Sequence, residues 1–191
     1  MIRIDSIATR TGDRGTTALA DGTRLPKQHP LIAAIGAVDE ANSVIGLALT
    51  ANLPGDIAAV LPTVQNDLFD LGADLAVPPG GAHEDKMQRI SANQVARLDA
   101  LLAASVARVL PLTSFVLPGG SPAAAWLHLA RTVVRRAERD LCAAMEADQQ
   151  RLWNPEALRY LNRLSDACFM WARRANDDGR ADVVWVPGAP R

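Results

Sequence analysis

Four arginines stand within nine residues of the segment ARTVVRRAER: Arg131, Arg135, Arg136 and Arg139, beside Glu138 and with no lysine among them. A guanidinium group is a planar fork that grips a carboxylate or phosphate through two parallel hydrogen bonds, whereas lysine more often serves solubility. A solvated charged face is the plainer reading of such a helix, but the absence of lysine favours an anion-binding one. At about 100° per residue, Trp126, Ala130, Val133, Val134, Ala137 and Leu141 gather on a core-facing side. Arg131, Arg135 and Glu138 share one edge of it, and Arg136 meets Asp140 at i, i+4 spacing on the other.

Two further segments carry groups that could work with this row. In IAAIGAVDEANSVIGLAL, Asp39 lies among small and apolar residues, on a helix that reads as packed on all sides. A carboxylate there either reaches solvent beside Glu40 or needs a cation, and Arg131 is the partner the sequence favours. Gly36, Ser43 and Gly46 share the Asp39 face and leave room for close approach. The leader TRTGDRGTTALADG combines Gly12 and Gly15 with threonine hydroxyls, Arg10 and Arg14. It suits a polyphosphate cradle of backbone N–H groups. It lacks the G-K-[ST] of a Walker A loop, and a Gly/Thr turn alone is more often ordinary loop chemistry than a nucleotide site.

The elements that must position these groups are helical. The 191 residues fit one domain with a substantial core, and a formal net charge of -1 gives no bulk reason to bind nucleic acid or anionic lipid. MIRIDS has charges where a signal peptide needs an apolar core, and no apolar run approaches the roughly eighteen residues of a membrane span. A cytoplasmic protein with no membrane or nucleic-acid partner is expected. Helices are expected over about 30–51, 56–77 and 92–109, from 122 through the arginine segment into LCAAM, and over 155–176. Ser121 and Asn154 serve as N-caps, with Pro122 and Pro155 at the first helical positions. PPGGAHEDK reads as a loop, LPLTSFVLPGG as a short connection and VVWVPGAPR as an extended tail. With almost no strand signal, the class is all-α, a five-helix up-and-down bundle over residues 1–191, with 1–28 as leader and 177–191 as tail. Cys142 and Cys168 read as small buried thiols. His29, His83 and His128 have no metal-ligand spacing.

The segments TRTGDRGTT, GAVDEANS, QNDLFDLGADLA, FVLPGG, ARTVVRRAER and LNRLSD occur in that order. Together they resemble the PduO-type corrinoid adenosyltransferases, the ATP:cob(I)alamin adenosyltransferase family. The resemblance spans the chain from about Thr9 to the VVW tail, and FVLPGG followed by the arginine helix is its most specific part. It implies a homotrimer with active sites at subunit interfaces. It also implies that reduced cobalt of cobalamin attacks the 5′ carbon of ATP to give adenosylcobalamin and triphosphate.

Carried over on these motifs, Thr9, Arg10, Thr11, Gly12 and Thr17 would wrap ATP, and Lys27 would close the leader onto phosphate. Arg135, Arg136, Glu138, Arg139 and Asn162 would contact nucleotide, and Glu138 would help hold Mg2+. Asp39 and Arg131 would tie subunits together and position the corrinoid. Phe115 would sit beneath the corrin ring and displace the lower axial ligand. A reductase and an adenosylcobalamin-dependent client are the partners implied. QHPLIAAIG departs from the family pattern at Leu31 and Ala33, where an arginine and an acidic residue are usual, so one polar tether of the leader is missing. The rival from another class is a non-enzymatic cobalamin carrier or adaptor; a di-iron bundle lacks its Glu-x-x-His pairs.

Overall fold

The computed structural model describes residues 8–77, 79–80 and 88–188. The charged residues 1–6, most of the loop expected at 78–86 and the last three residues of the tail lie outside them. Among the described residues five helices carry the fold: α1 (Pro30–Ala48), α2 (Gly55–Ala76), α3 (Ala92–Val106), α4 (Pro122–Ala147) and α5 (Pro155–Ala175).

Local chemistry sets the helix starts. Ser121 Oγ accepts from Ala124 N at 3.1 Å and Asn154 Oδ1 from Glu156 N at 3.1 Å, each satisfying an otherwise orphaned amide ahead of a proline-led first turn. His29 plays the same part for α1, its Nδ1 accepting from Leu31 N at 3.2 Å. Four ends fall earlier than the sequence suggests, that of α2 by one residue, at Ala76. α1 stops at Ala48 because Thr50 turns its hydroxyl back onto the Leu47 carbonyl at 2.7 Å. α3 stops at Val106, and Asn176 caps α5 rather than extending it.

Helix α4 is the central rod. Ala124, Leu127, Ala130, Val134, Ala137 and Leu141 are buried at helical spacing, and the rod packs along α1 on one side and α5 on the other. α2 packs on α1, and α3 on α5. Buried Asp67 of α2 closes the ring, accepting from Tyr160 Oη of α5 at 2.7 Å and Gln94 Nε2 of α3 at 2.9 Å, and pairing with Arg97. Burial, with that carboxylate beside it, pushes the Tyr160 phenol pKa up.

Helix α1 is open on one side, contrary to the expectation that it is packed all round. Asp39, Glu40 and Ser43 are exposed, and beside them α1 and α2 frame a hollow of about 360 Å3 lined by Ile35, Gly36, Asp39, Leu68, Phe69 and Gly72. Phe69 is 72% exposed at its rim. α1 is also long and apolar enough to cross a membrane by length and composition, which the sequence reading overlooked. Its composition is explained by burial of Ala34, Ala41, Ile45 and Ala48 in the core.

The leader forms a small antiparallel hairpin, β1 (Thr16–Ala18) with β2 (Arg24–Pro26), pairing Thr17 with Leu25. Little in the sequence signals it, because the strands are three residues long. The turn supplies the local drive. Asp21 Oδ1 accepts from Thr23 N at 2.9 Å, and Gly22 takes φ +89°, a conformation that favours glycine. Leu19 and Leu25 pack the hairpin onto the core. At the departure from the family pattern, Leu31 is buried and borders a hollow of about 380 Å3 that Asp21, Thr23, His29, Asp148 and Arg151 also line.

Candidate functional site

The arginine row divides as the helix turns. Arg131 is half-buried, while Arg135 and Arg139 are exposed. Arg131 Nε is buried without a hydrogen-bond partner. Burial lowers the Arg131 pKa, and the neighbouring Arg135 charge lowers it further. Among the described residues no carboxylate pairs with Arg131, Arg135 or Arg139. Arg139 Nη1 donates only to the Arg135 carbonyl, at 3.1 Å. Arg136 is different: it pairs with Glu40 of α1 rather than with Asp140. Glu40 lies within reach across the close α1–α4 packing, and the hydrogen bond from Arg136 lowers its pKa.

Glu138 and Asn162 meet. Asn162 Nδ2 donates to Glu138 Oε1 at 2.9 Å, and Arg163 Nη1 donates to Asn162 Oδ1 at 2.9 Å. Arg163 Nε in turn reaches Asp99 of α3 at 2.7 Å. Arg163 therefore fixes the amide orientation of Asn162, a role that sequence reasoning missed although LNR sets the two side by side. Below the row, fully buried Cys168 has its thiol pKa pushed up to about 12 by burial. Cys142, expected to be buried, is exposed. It follows Leu141 on α4 and is turned away from the core face.

One turn before Arg131, His128 is buried with neither ring nitrogen hydrogen-bonded. Its ring lies 5.9 Å from that of Phe169. Burial lowers its pKa, nearby Arg131 adds to the shift and Asp182 opposes it. The imidazole is thus kept neutral beside the unpaired guanidinium.

The leader makes a cradle of its own. Arg10, Thr11, Asp13, Arg14, Thr16 and Arg24 line an open hollow of about 730 Å3. A tight bend shapes it: Gly15 takes φ +79°, and its amide bonds the Gly12 carbonyl at 3.1 Å. Lys27 closes the base. Its amide donates to Gly15 O at 2.9 Å, and its ammonium lies so near Gly12 that an added Cβ there would meet Nζ at 3.2 Å. Thr9 and Thr11 hydroxyls are 3.0 Å apart, and Thr17 is held in β1. Arg24, also missed in the sequence, braces the bend through Thr11 O at 2.8 Å and Thr16 Oγ1 at 2.6 Å.

Phe115 lies in the connection before α4 and is 77% exposed. Its ring stands edge-on to Trp185 of the tail at 5.9 Å and 65°. The two stretches pair as a short antiparallel ribbon, with Val116 opposite Val184 and Trp185 N bonded to Phe115 O at 2.8 Å.

The chain does not assemble all these groups by itself. Among the described residues no hydrogen bond or ion pair joins the leader to Arg131, Arg135, Glu138 or Arg139. Asp39 and Arg131 do not pair within one chain either: Asp39 points out over the α1–α2 hollow, whereas Arg131 lies where α4 meets α5, close to Cys168. Asp39 reaches solvent beside Glu40, the alternative to the Arg131 pairing that the sequence favours.

A model of the family described as cobalamin adenosyltransferase matches residues 7–175. The corrinoid adenosyltransferase of Mycobacterium tuberculosis strain H37Rv is 47% identical over 196 residues, covering 100% of this chain and 97% of that protein. The cobalamin adenosyltransferase of Cupriavidus metallidurans is 48% identical over 185 residues, covering 96% and 95%. A solved variant of a PduO-type ATP:corrinoid adenosyltransferase from Lactobacillus reuteri, complexed with cobalamin and ATP, superposes with a TM-score of 0.82. It is 32% identical and covers 94% of this chain and 99% of its own.

Proposed function

This chain belongs to the cobalamin adenosyltransferase family, and we propose that it transfers the 5′-deoxyadenosyl group of ATP to the cobalt of cob(I)alamin, forming adenosylcobalamin and triphosphate. The cobalt lone pair attacks C5′, the C5′–O bond breaks, and its electron pair leaves on triphosphate. No side-chain base is needed, because the nucleophile is the corrinoid's own metal.

The observation that carries this reading is the row of guanidinium groups left without anions. Arg97, Arg136, Arg163, Arg173 and Arg174 each have a carboxylate partner, and Arg131, Arg135 and Arg139 have none among the described residues. A polyphosphate supplies what the row lacks, and cations fixed on a rigid helix stabilise charge that grows on the leaving group. Thr9, Arg10, Thr11, Gly12, Thr17 and Lys27 wrap the nucleotide. Arg135, Arg136, Arg139 and Asn162 bind it from α4 and α5, and Arg136 does so while held by Glu40.

Magnesium fits as a companion of the phosphates. Among the described residues no group of three or more His, Cys, Asp and Glu side chains could hold a metal ion, and Mg2+ bound with a nucleotide needs only one or two carboxylates beside phosphate and water. Glu138, half-buried and outside any ion pair among the described residues, would supply one. When bound, the ion neutralises charge on the triphosphate.

The leader and the arginine row come together between copies of the chain. A homotrimer does this, with Asp39 of one copy meeting the unpaired Arg131 of another and the apolar α1–α2 hollow covered at the contact. Phe115 fills the lower axial position of the corrinoid at that interface. Residues 1–191 act as one bundle domain in the cytoplasm, where ATP is at hand. A reductase supplies the electron for cobalt, and an adenosylcobalamin-dependent enzyme takes the product. In an assay with ATP, Mg2+ and chemically reduced cobalamin, triphosphate release should accompany a light-sensitive cobalt–carbon bond. Corrinoid binding without triphosphate would favour a carrier instead.

A further inference from the structure

Phe115 poses a mechanical problem. A side chain 77% exposed has no core contact to hold it, yet a wedge must stand at a fixed height to displace a ligand. The tail ribbon that braces it is also exposed at Val184, Trp185 and Val186. The anchor therefore lies elsewhere, and the hydrogen bonds lead to the end of α5.

We propose that the buried Arg173–Asp182 ion pair, together with Asn176, positions Phe115 by locking the tail against the connection that bears it. The inference rests on the wedge role given to Phe115 above. Both partners are only 4% exposed at the side chain, and Arg173 Nε donates to Asp182 Oδ2 at 2.7 Å. The same guanidinium reaches across to the connection, its Nη2 donating to Leu110 O at 2.6 Å. Asn176, also buried, spans the other end. Its Oδ1 accepts from Ser121 N at 2.9 Å, and its Nδ2 donates to Gly119 O at 3.0 Å and to Asp182 Oδ1 at 3.4 Å. The connection 110–120 is thus tied at one point to the α5 terminus and to the tail that follows it, more than fifty residues further along the chain.

Two glycines show how close the fit is. A Cβ on Gly120 would lie 2.3 Å from Asn176 Oδ1, and one on Gly179 would lie 2.7 Å from Arg173 Nη2. Both have positive φ, so the backbone passes where no side chain is allowed. From Asp182 the tail runs directly into the ribbon. Leu117 N donates to Val183 O at 2.7 Å, and Ser114 Oγ donates to Trp185 O at 2.9 Å. A buried ion pair adds little net stability relative to an apolar pair, and removal of one partner leaves the other charge stranded. Its value here is geometric: it fixes where the tail leaves the bundle, and hence where the Phe115 ring stands.

The test compares wild type, Phe115→Ala, Asp182→Ala, Asp182→Asn and the double variant Phe115→Ala/Asp182→Ala in two assays. One supplies chemically pre-reduced cobalamin. The other supplies cob(II)alamin with a reduced flavin, which passes one electron to cobalt before cobalt attacks C5′. For Asp182→Ala the flavin-driven turnover should fall on the order of ten- to a hundredfold, as expected for a misplaced reacting group, with a much smaller fall for the pre-reduced route. The paramagnetic spectrum of bound cob(II)alamin with ATP should regain its lower-ligand signature. The double variant should be no worse than Phe115→Ala, because Asp182 acts through Phe115. Asp182→Asn keeps an oxygen for Arg173 and should fall between; it serves as the test variant if Asp182→Ala melts too early to assay. Equal loss in both assays, no loss in either, or losses that multiply in the double variant would overturn the inference. Absence of triphosphate from wild type with pre-reduced cobalamin would instead overturn the adenosyltransferase reading itself.

Discussion

Arg135→Ala is expected to lower turnover by about a hundredfold to a thousandfold, the usual loss when one preorganised donor to a developing oxyanion is removed. The fall should appear in kcat more than in KM for ATP, because the charge on triphosphate is greatest as the C5′–O bond breaks. Stability should change by no more than about 0.5 kcal/mol, since Arg135 is exposed and makes no ion pair among the described residues. Indeed the adjacent Arg131, whose pKa is lowered partly by the Arg135 charge, loses a repulsive neighbour. Arg135→Lys should recover only part of the rate: it restores the charge but not the planar fork. Steady-state kinetics with pre-reduced cobalamin, run beside thermal unfolding, separate these effects. A variant with full kcat would remove Arg135 from the leaving-group site.

Phe115→Ala should produce a different signature, leaving ATP affinity intact while turnover that begins from cob(II)alamin falls roughly ten- to a hundredfold. That range follows from the about 1.5–3 kcal/mol gained by burying a phenylalanine ring, which converts to such a factor at 1.4 kcal/mol per tenfold. In the proposed site the ring would exclude a ligand beneath cobalt. Loss of that ligand lowers the orbital that receives the electron, so reduction becomes feasible for biological donors. When cobalt is already reduced, the wedge has less to do, and the two assays should diverge. The fold should persist, because the ring is exposed in the single chain and α4 is capped independently by Ser121. Equal losses in both assays would mean that the connection is merely structural.

The parts of this arrangement written in local sequence were legible. The Ser121 and Asn154 caps, the core stripe of α4 and the edge shared by Arg131, Arg135 and Glu138 follow from helical spacing and cap chemistry, and the structure has them there. What escaped depends on packing between elements or on a few side-chain bonds with no periodic signal. Arg136 looked like a partner for Asp140, one turn away, but the packing of α1 on α4 offers Glu40 at closer range. The leader hairpin rests on an Asx turn and two leucines, too little for a strand signal. The Arg173–Asp182 clamp joins a helix end to a tail that composition marks only as extended. The open face of α1 was hidden for a related reason: an apolar helix reads as buried whether its cover comes from the same chain or from another.

The proposed site grips ATP between the leader of one copy and the arginine row of another. Mixing two disabled variants tests this most directly. Arg135→Ala chains keep an intact leader, and Lys27→Ala chains keep an intact row, so sites formed across copies pair the two sound halves in some mixed assemblies. Equimolar chains, unfolded and refolded together, should regain roughly a quarter of wild-type turnover, the share of contacts that random pairing in a closed ring makes whole. Each variant refolded alone should stay at its own low residual rate. Turnover no higher in the mixture than in the separate variants would contradict the account and place the leader and the row of each working site in a single chain.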